Sequence, residues 1–141
     1  MITLVLAARM SQAAIDRAAD LGALVSAAVV DQGGHLVHFQ RMDGAEIAGP
    51  TLAVDKAFTA VAHRIETAEL GPLSQPGGDL WGLSGNGGGR YVVFGGGVPC
   101  WHGGRVVGGV GVSGGTAAED VACARAGHAV FDSFLSEQSA P

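Results

Sequence analysis

The stretch GGVGVSGGTAAED, Gly108–Asp120, decides the fold, because its segment GVGVSG matches the G-x-G-x-x-G pattern of dinucleotide-binding proteins. An apolar run that predicts a strand precedes it, and a run that predicts a helix follows it, as that pattern requires. A dinucleotide fold also needs a following parallel strand with an acidic residue about 20 residues further on. Here the predicted helix is the last element of the sequence. The topology therefore argues against a dinucleotide site.

The glycines of this stretch need another cause. Gly109 and Gly111 alternate with valines, which places both on one face of a strand that a ligand, a helix or another subunit approaches closely. Thr116 and Glu119 have the T-x-x-E spacing of a capping box, which predicts a helix start. The amides of Ser113–Thr116 would also hold a ligand carboxylate at the positive end of that helix. The two roles are compatible.

Outward from this stretch, the pattern predicts helices alternating with hairpins. The predicted elements are a helix from Ala7 that Gly22 ends, a hairpin of Val25–Asp31 and His35–Arg41, a helix over about Thr51–Ile65, a long loop over Glu66–Gly89, two or three strands between Arg90 and Val112, and a helix over about Ala117–Leu135. Consecutive hairpins make an antiparallel sheet, so the fold class is α+β. No second domain is visible, and we expect one domain over residues 1–141.

The composition excludes several classes of protein. Hydrophobic residues make up 48% and charged residues 15%, which excludes disorder. A net charge of −5, with eight scattered Lys and Arg residues, argues against a nucleic-acid partner. The start MITLVLAARMSQ lacks a basic region before its apolar residues, so we expect neither a signal peptide nor a membrane partner, and a cytoplasmic location.

Low charge with much glycine and alanine favours a homo-oligomer. Cys100 and Cys123 match no metal spacing and are predicted free thiols.

Four stretches together resemble one known family. They are VVDQGGHLVHFQRMDGA (29–45), AVDKAFTAV (53–61), GGGVPCW (95–101) and RVVGGVGVSGGTAAEDVACARAG (105–127). They are similar to the GlcG/HbpS family of haem-binding or haem-degrading proteins, which also occurs as the C-terminal domain of PduO-type proteins. The resemblance runs from about Leu6 to Phe131. It implies a profilin-like fold with a five-stranded antiparallel sheet and helices on both faces, homo-oligomers, and haem as the cofactor.

Two family motifs supply candidate binding residues. Arg41 and Asp43 match R-M-D: Arg41 would clamp a carboxylate or haem propionate, with Asp43 orienting it or acting as a base. The alternative is a structural pair that fixes the loop after the hairpin. Lys56 matches D-K-A, and with Thr59 and His63 it would either edge a pocket or lie on a solvated helix face.

Other candidates lie on the later strands and the last helix. His102 follows Cys100 by two residues, so both would point to one side of a strand as candidate iron ligands. His128 interrupts the apolar stripe of the last helix and is more typical of a core or interface histidine.

The start of the strand after the long loop adds one more group. Arg90 would face the same ligand site as Ser113 and Gly114, with Trp81 either closing over it from the loop or anchoring that loop. These residues complete the predicted ligand-binding set.

Three functions stay open, and whether the protein is an enzyme stays open with them. The first is haem or iron binding, with haem degradation as a further activity. The second is a cofactor-independent isomerase or hydratase of a small carboxylic acid, in which Asp43 or His38 moves a proton while Arg41 and glycine-rich amides hold the acid. The third is a non-catalytic oligomeric module that binds a metabolite. The resemblance places haem binding first.

Overall fold

Four α-helices and a four-stranded antiparallel sheet make up the structure, a computed structural model that describes Met1–Pro141. The helices are α1 (Leu4–Leu21), α2 (Gly49–His63), α3 (Thr67–Leu73) and α4 (Ala117–Ser139). The strands are β1 (Ser26–Asp31), β2 (Leu36–Arg41), β3 (Gly97–His102) and β4 (Arg105–Ser113), in the spatial order β2-β1-β4-β3. The α+β class is confirmed. None of the helices combines the length and the apolar character that crossing a membrane requires.

The resemblance implies five strands, but the sheet has four, because residues 90–94 pair with no strand. A side chain of α2 binds this segment instead: the Val92 amide donates to Thr59 Oγ1 at 3.0 Å, and that oxygen lies 3.1 Å from the Arg90 carbonyl. The β-rich composition of the segment therefore reflects packing on α2 rather than membership of the sheet.

Two predicted boundaries also differ from the structure. Helix α1 begins at Leu4 rather than Ala7, because Thr3 caps it and accepts a hydrogen bond from the Leu6 amide at 3.2 Å. The predicted loop over Glu66–Gly89 contains α3 and two 3₁₀ turns. Glycine and proline near the end of α3 concealed it, because these residues are typical of loops.

The two faces of the sheet pack by different means. Helices α1 and α4 cover one face, where Val110 and Val112 of β4 lie fully buried in the main apolar core. Helix α2 covers the other face, and there β4 presents Gly109 and Gly111. A Cβ at Gly111 would lie 2.0 Å from the Ala53 carbonyl oxygen, so only glycine allows the helix backbone this close. The glycines that match the dinucleotide-binding pattern therefore allow α2 to pack closely against the sheet.

Both outer strands depart from regular pairing. In β2, Val29 pairs with His38 but Val30 pairs with Leu36, which leaves Val37 as the extra residue of a β-bulge. Leu36 and His38 therefore lie on opposite faces of the sheet, with His38 against α1 and Leu36 towards α2. The other outer strand, β3, contains Pro99 and has a second irregularity between Cys100 and Trp101.

Candidate functional site

The structure separates the residues that the sequence proposed for one site. Their positions are His38 against α1, Arg41 and Asp43 at the loop after β2, Arg90 outside α2, His102 at the turn between β3 and β4, and Lys56, Ser113 and Gly114 near the start of α4. Of these residues only Gly114 lines any of the five cavities of the molecule.

Lys56 and Asp120 form a buried ion pair at the start of α4. The Lys56 Nζ lies 3.0 Å from Asp120 Oδ2 and donates to the Val112 carbonyl at 2.9 Å, with the lysine side chain 1% exposed. The alternative of a solvated helix face is therefore wrong for Lys56. Burial lowers the pKa of Lys56, and the Asp120 carboxylate opposes that shift. Burial likewise raises the pKa of Asp120, against the effect of the lysine.

The amides at the start of α4 already have partners within the chain. The Gly115 amide donates to Asp120 Oδ1 at 2.9 Å, and the Thr116 amide donates to Glu119 Oε1 at 2.9 Å. Thr116 accepts from the Glu119 amide in return, so the predicted capping box is confirmed. Two carboxylates of this chain thus occupy positions that the sequence offered to a ligand carboxylate.

Arg90 lies on the outer side of α2, in contacts that do not include Ser113. Its Nε donates to Asp55 Oδ1 at 3.0 Å, and its guanidinium lies 3.7 Å from the centre of the Phe58 ring. Tyr91 stacks on the same phenylalanine at 6.3 Å between ring centres. This cluster anchors the segment that the sequence took for a strand.

Arg41 and Asp43 make no ion pair, so the structural pair proposed for them is absent. Arg41 Nη2 instead donates to the Ala45 carbonyl and closes the loop within the chain. Asp43 is exposed. The loop after the hairpin is therefore fixed by a main-chain carbonyl rather than by a carboxylate.

His38 belongs to a polar link between α1 and β2. Its Nδ1 lies 2.7 Å from Ser11 Oγ, and Gln40 donates to the same hydroxyl at 2.9 Å. Ser11 is fully buried, so this contact joins two elements rather than presenting a nucleophile.

The expected pairing of Cys100 with His102 does not form. Cys100 lies in the apolar core, whereas His102 is exposed at the end of β3, where it pairs with Arg105 next to the hairpin turn. Burial raises the pKa of the Cys100 thiol to about 12, which keeps it protonated at neutral pH. No group of three or more His, Cys, Asp or Glu side chains is arranged to hold a metal ion.

A groove between α3 and α4 was not predicted from the sequence. It consists of two adjoining cavities of about 580 and 450 Å³, and Arg125 lines both. We call it the α3–α4 groove. Its larger, apolar half is lined by residues such as Phe94, Ala118 and Val121, and its smaller, polar half by residues such as Arg64, Trp101 and His128.

One face of α4 forms a wall along both halves. Ala118, Val121, Arg125 and His128 follow one another at intervals of three or four residues, which places them along one side of a helix. This spacing is the one sequence signal for the groove. The spacing alone does not predict a groove, because the opposite wall comes from α3, and the sequence pattern predicts a loop there.

Charges concentrate in the polar half. Arg125 contacts Glu66 Oε1 through Nε at 3.2 Å and through Nη2 at 3.1 Å, which joins the two walls. His128 Nδ1 lies 3.3 Å from Asp132 Oδ2, one turn further along α4. Trp101 is 44% exposed here. The same half also carries the carboxylates of Glu66 and Glu69, so two cations and two carboxylates line it together with the tryptophan and the histidine.

Comparison with known proteins agrees with the family that the sequence resembles. A family model described as "Haem degrading protein HbpS-like" matches residues 2–129. An uncharacterised 15.0 kDa protein from the dhaT–dhaS intergenic region of Citrobacter freundii is 42% identical over 119 residues, which is 84% of each chain.

Two solved structures have the same fold as this chain. Klebsiella pneumoniae protein ORFY superimposes with a TM-score of 0.90 at 36% identity, over 93% of this chain and 90% of that one. A structure described as a PduOC:heme complex superimposes with a TM-score of 0.88 at 36% identity, over 92% of this chain and 94% of that one.

Proposed function

We propose that this chain, which belongs to the HbpS-like family, binds haem in the α3–α4 groove. One observation carries the proposal: the groove joins an apolar cavity of about 580 Å³ to a polar one through a single arginine. A similar protein was solved as a haem complex, which supports the choice of ligand.

The residues of the groove fit the chemistry of haem. The apolar half would cover porphyrin surface, with Phe94, 48% exposed, as its largest side chain. Arg125 and the exposed Arg64 would hold the propionates, because guanidinium groups bind carboxylates through paired hydrogen bonds. Glu66 keeps Arg125 in place until a ligand carboxylate competes for it. Bound haem would supply an iron centre for ligand binding or electron transfer, and the chain would supply the shape and the charged groups that hold it.

Hemin titration of the purified protein, followed at the Soret band, tests the proposal. We expect a saturable, shifted band with a dissociation constant in the micromolar range or below. Arg125→Ala should weaken binding roughly tenfold to a hundredfold, the range for losing a hydrogen bond to a charged group. Arg105→Ala is the matched control, since Arg105 is exposed at the start of β4 and lines no part of the groove.

The controls also define failure. A weak, non-saturating band, or equal effects of the two arginine variants, would contradict haem binding in this groove. Circular dichroism of each variant checks that its fold is unchanged.

Haem degradation is the finer proposal for the same groove, supported by the description of the family. Incubation of the haem complex with air and a mild reductant should bleach the Soret band and release iron that a ferrous chelator detects. A stable band, with no chelatable iron above that from free hemin, would leave binding as the function.

We also propose that the chain self-associates in a reducing compartment such as the cytoplasm. Ile47 is 94% exposed and Trp81 67% exposed, which is a large apolar area for a small protein to leave in water. Both cysteines are free, as reducing conditions would keep them. Sedimentation velocity over a range of concentrations should find species larger than one chain, and a single 14.1 kDa species would contradict self-association.

A further inference from the structure

We infer that the outer side of α2, together with the adjoining side chains of β2, is the surface through which two copies of this chain join about a twofold axis. The inference rests on the proposed self-association. We call this surface the α2–β2 face. It surrounds an open cavity of about 400 Å³ that is lined by Leu36, Phe39, Pro50, Thr51, Val54 and Asp55.

The composition of α2 indicates that its outer side is covered. A helix at a protein surface normally carries a polar stripe towards water, whereas a helix that is apolar all round is buried on all sides. Apart from His63 at its end, α2 contains two charged residues, Asp55 and Lys56. Lys56 is buried against Asp120 on the sheet side, and Asp55 is paired with Arg90. The outer side of α2 therefore offers water no unpaired charge.

Exposed apolar side chains extend this face beyond the helix. Leu36 on β2 is 52% exposed, and Ile47, in the turn that leads into α2, is 94% exposed. Val54 of α2 and Phe39 of β2 line the cavity together. Contiguous apolar surface on a folded protein marks an interaction site. The α2–β2 face therefore suits a partner surface that is itself apolar.

The charged groups of the face select a second copy as that partner. Arg90 Nε donates to Asp55 Oδ1, whereas the two Nη groups of Arg90 and Oδ2 of Asp55 make no hydrogen bond within the chain. A twofold interface brings the same patch of both copies together. Each copy then offers donors to the carboxylate of the other. Because the face carries one positive and one negative group, two such faces meet without repulsion.

This face is separate from the α3–α4 groove. The cavity on the α2–β2 face shares no lining residue with either half of the groove. Self-association through this face therefore leaves the groove open, and its tests do not depend on whether haem binds.

Sedimentation velocity of two variants tests the apolar part of the face. Val54→Asp should weaken self-association at least about a hundredfold, because its carboxylate would be buried between two apolar surfaces without a partner. Val5→Asp is the matched control and should associate like the wild type, because Val5 is 73% exposed on α1, which covers the opposite side of the sheet. Circular dichroism checks both folds. Association of Val54→Asp equal to that of the wild type, or a loss confined to Val5→Asp, would overturn the inference.

A charge-exchange experiment tests the twofold arrangement itself. Asp55→Arg places two cations on each face and Arg90→Asp places two carboxylates there, so each variant alone should associate at least about tenfold more weakly than the wild type. Mixed in equal amounts, the two variants have opposite charges and should associate with each other. Both should fold, since an exposed ion pair contributes little to stability. Variants that associate alone like the wild type, or a mixture that stays unassociated, would overturn the pairing across the axis.

The outcomes separate this inference from the self-association beneath it. If the wild type associates and the variants of the α2–β2 face associate equally well, self-association stands and this face is not the interface. If the wild type is a single 14.1 kDa species, both the self-association and the interface are overturned.

Discussion

The two faces of the β-sheet pack against their helices through different kinds of contact, side chains on one face and helix backbone on the other. Towards α1 and α4, β4 presents Val110 and Val112, and apolar side chains fill the space between the layers. Towards α2, the same strand presents Gly109 and Gly111, and the helix backbone itself lies against the sheet. One strand of alternating glycine and valine thus sets two different distances between layers.

The difference also determines where charge is buried. Because α2 lies so close to the sheet, Lys56 crosses past the Gly96 backbone and meets Asp120 at the start of α4. The other face contains uncharged side chains, including both cysteines. A face made by side chains can adjust to small changes, whereas a face made by backbone contact and a buried ion pair cannot.

Adding a methyl group at Gly111 should break the α2 face. The Cβ of Gly111→Ala would lie 2.0 Å from the Ala53 carbonyl, so we expect the free energy of unfolding to fall by about 5 kcal/mol or more, at the extreme of overpacking effects. Urea denaturation measures the loss. Gly85→Ala, where no atom lies within 4 Å of the added carbon, should change stability by less than about 0.5 kcal/mol. Equal effects would mean that α2 does not approach the sheet this closely.

Removing the lysine should test the buried charge on the same face. Lys56→Met should destabilise by about 3–5 kcal/mol, because it leaves Asp120 buried without its partner. Adding Asp120→Asn should recover part of the loss, since the amide oxygen still accepts from Gly115 without a charge. Without Lys56, nothing from the lysine opposes the effect of burial, so the pKa of Asp120 is raised further. The single variant should therefore regain stability as pH falls towards the ordinary Asp pKa and lose it as pH rises. Additive losses in the double variant would contradict the pairing.

Alkaline pH should weaken the opposite face. Burial raises the pKa of Cys100 from 9.0 to about 12, so between these values the unfolded chain releases a proton that the folded chain keeps. Stability is then fully present below pH 9 and falls as pH rises, by about 2–3 kcal/mol for this thiol at pH 11. Denaturation from pH 8 to 11 under reducing conditions checks this. Cys100→Ala is the control and should show a shallower dependence, whereas an unchanged slope would mean that the thiol reaches water.

Local patterns predicted much of this fold from the sequence. The glycine turn between β1 and β2, the Gly22 end of α1 and the Thr116 capping box all depend on neighbours within a few residues, and all are present. The prediction of a strand over residues 90–94 was wrong. The segment has the composition of a strand, but its hydrogen-bond partner is Thr59, which is 33 residues away from Val92. Composition records a preference for burial and does not specify what a segment is buried against.

The candidate site was less accessible to the same reasoning. Lys56 was identified through a family motif, but its partner Asp120 lies 64 residues on, and no local pattern links the two. The α3–α4 groove depends on Glu66 meeting Arg125 across 59 residues and on a helix that contains Pro72. Side-chain clusters of this kind follow from tertiary packing, so they become visible only when the layers are assembled.

The irregularities of the two outer strands limit how chains can join. An outer strand with free amides and carbonyls is a template onto which another strand can add, and such growth leads to aggregation. Pro99 removes one amide from β3, and the bulge at Val37 distorts β2. Sheet extension from chain to chain is therefore disfavoured at both edges, so an assembly of copies of this chain would be built through helices and loops.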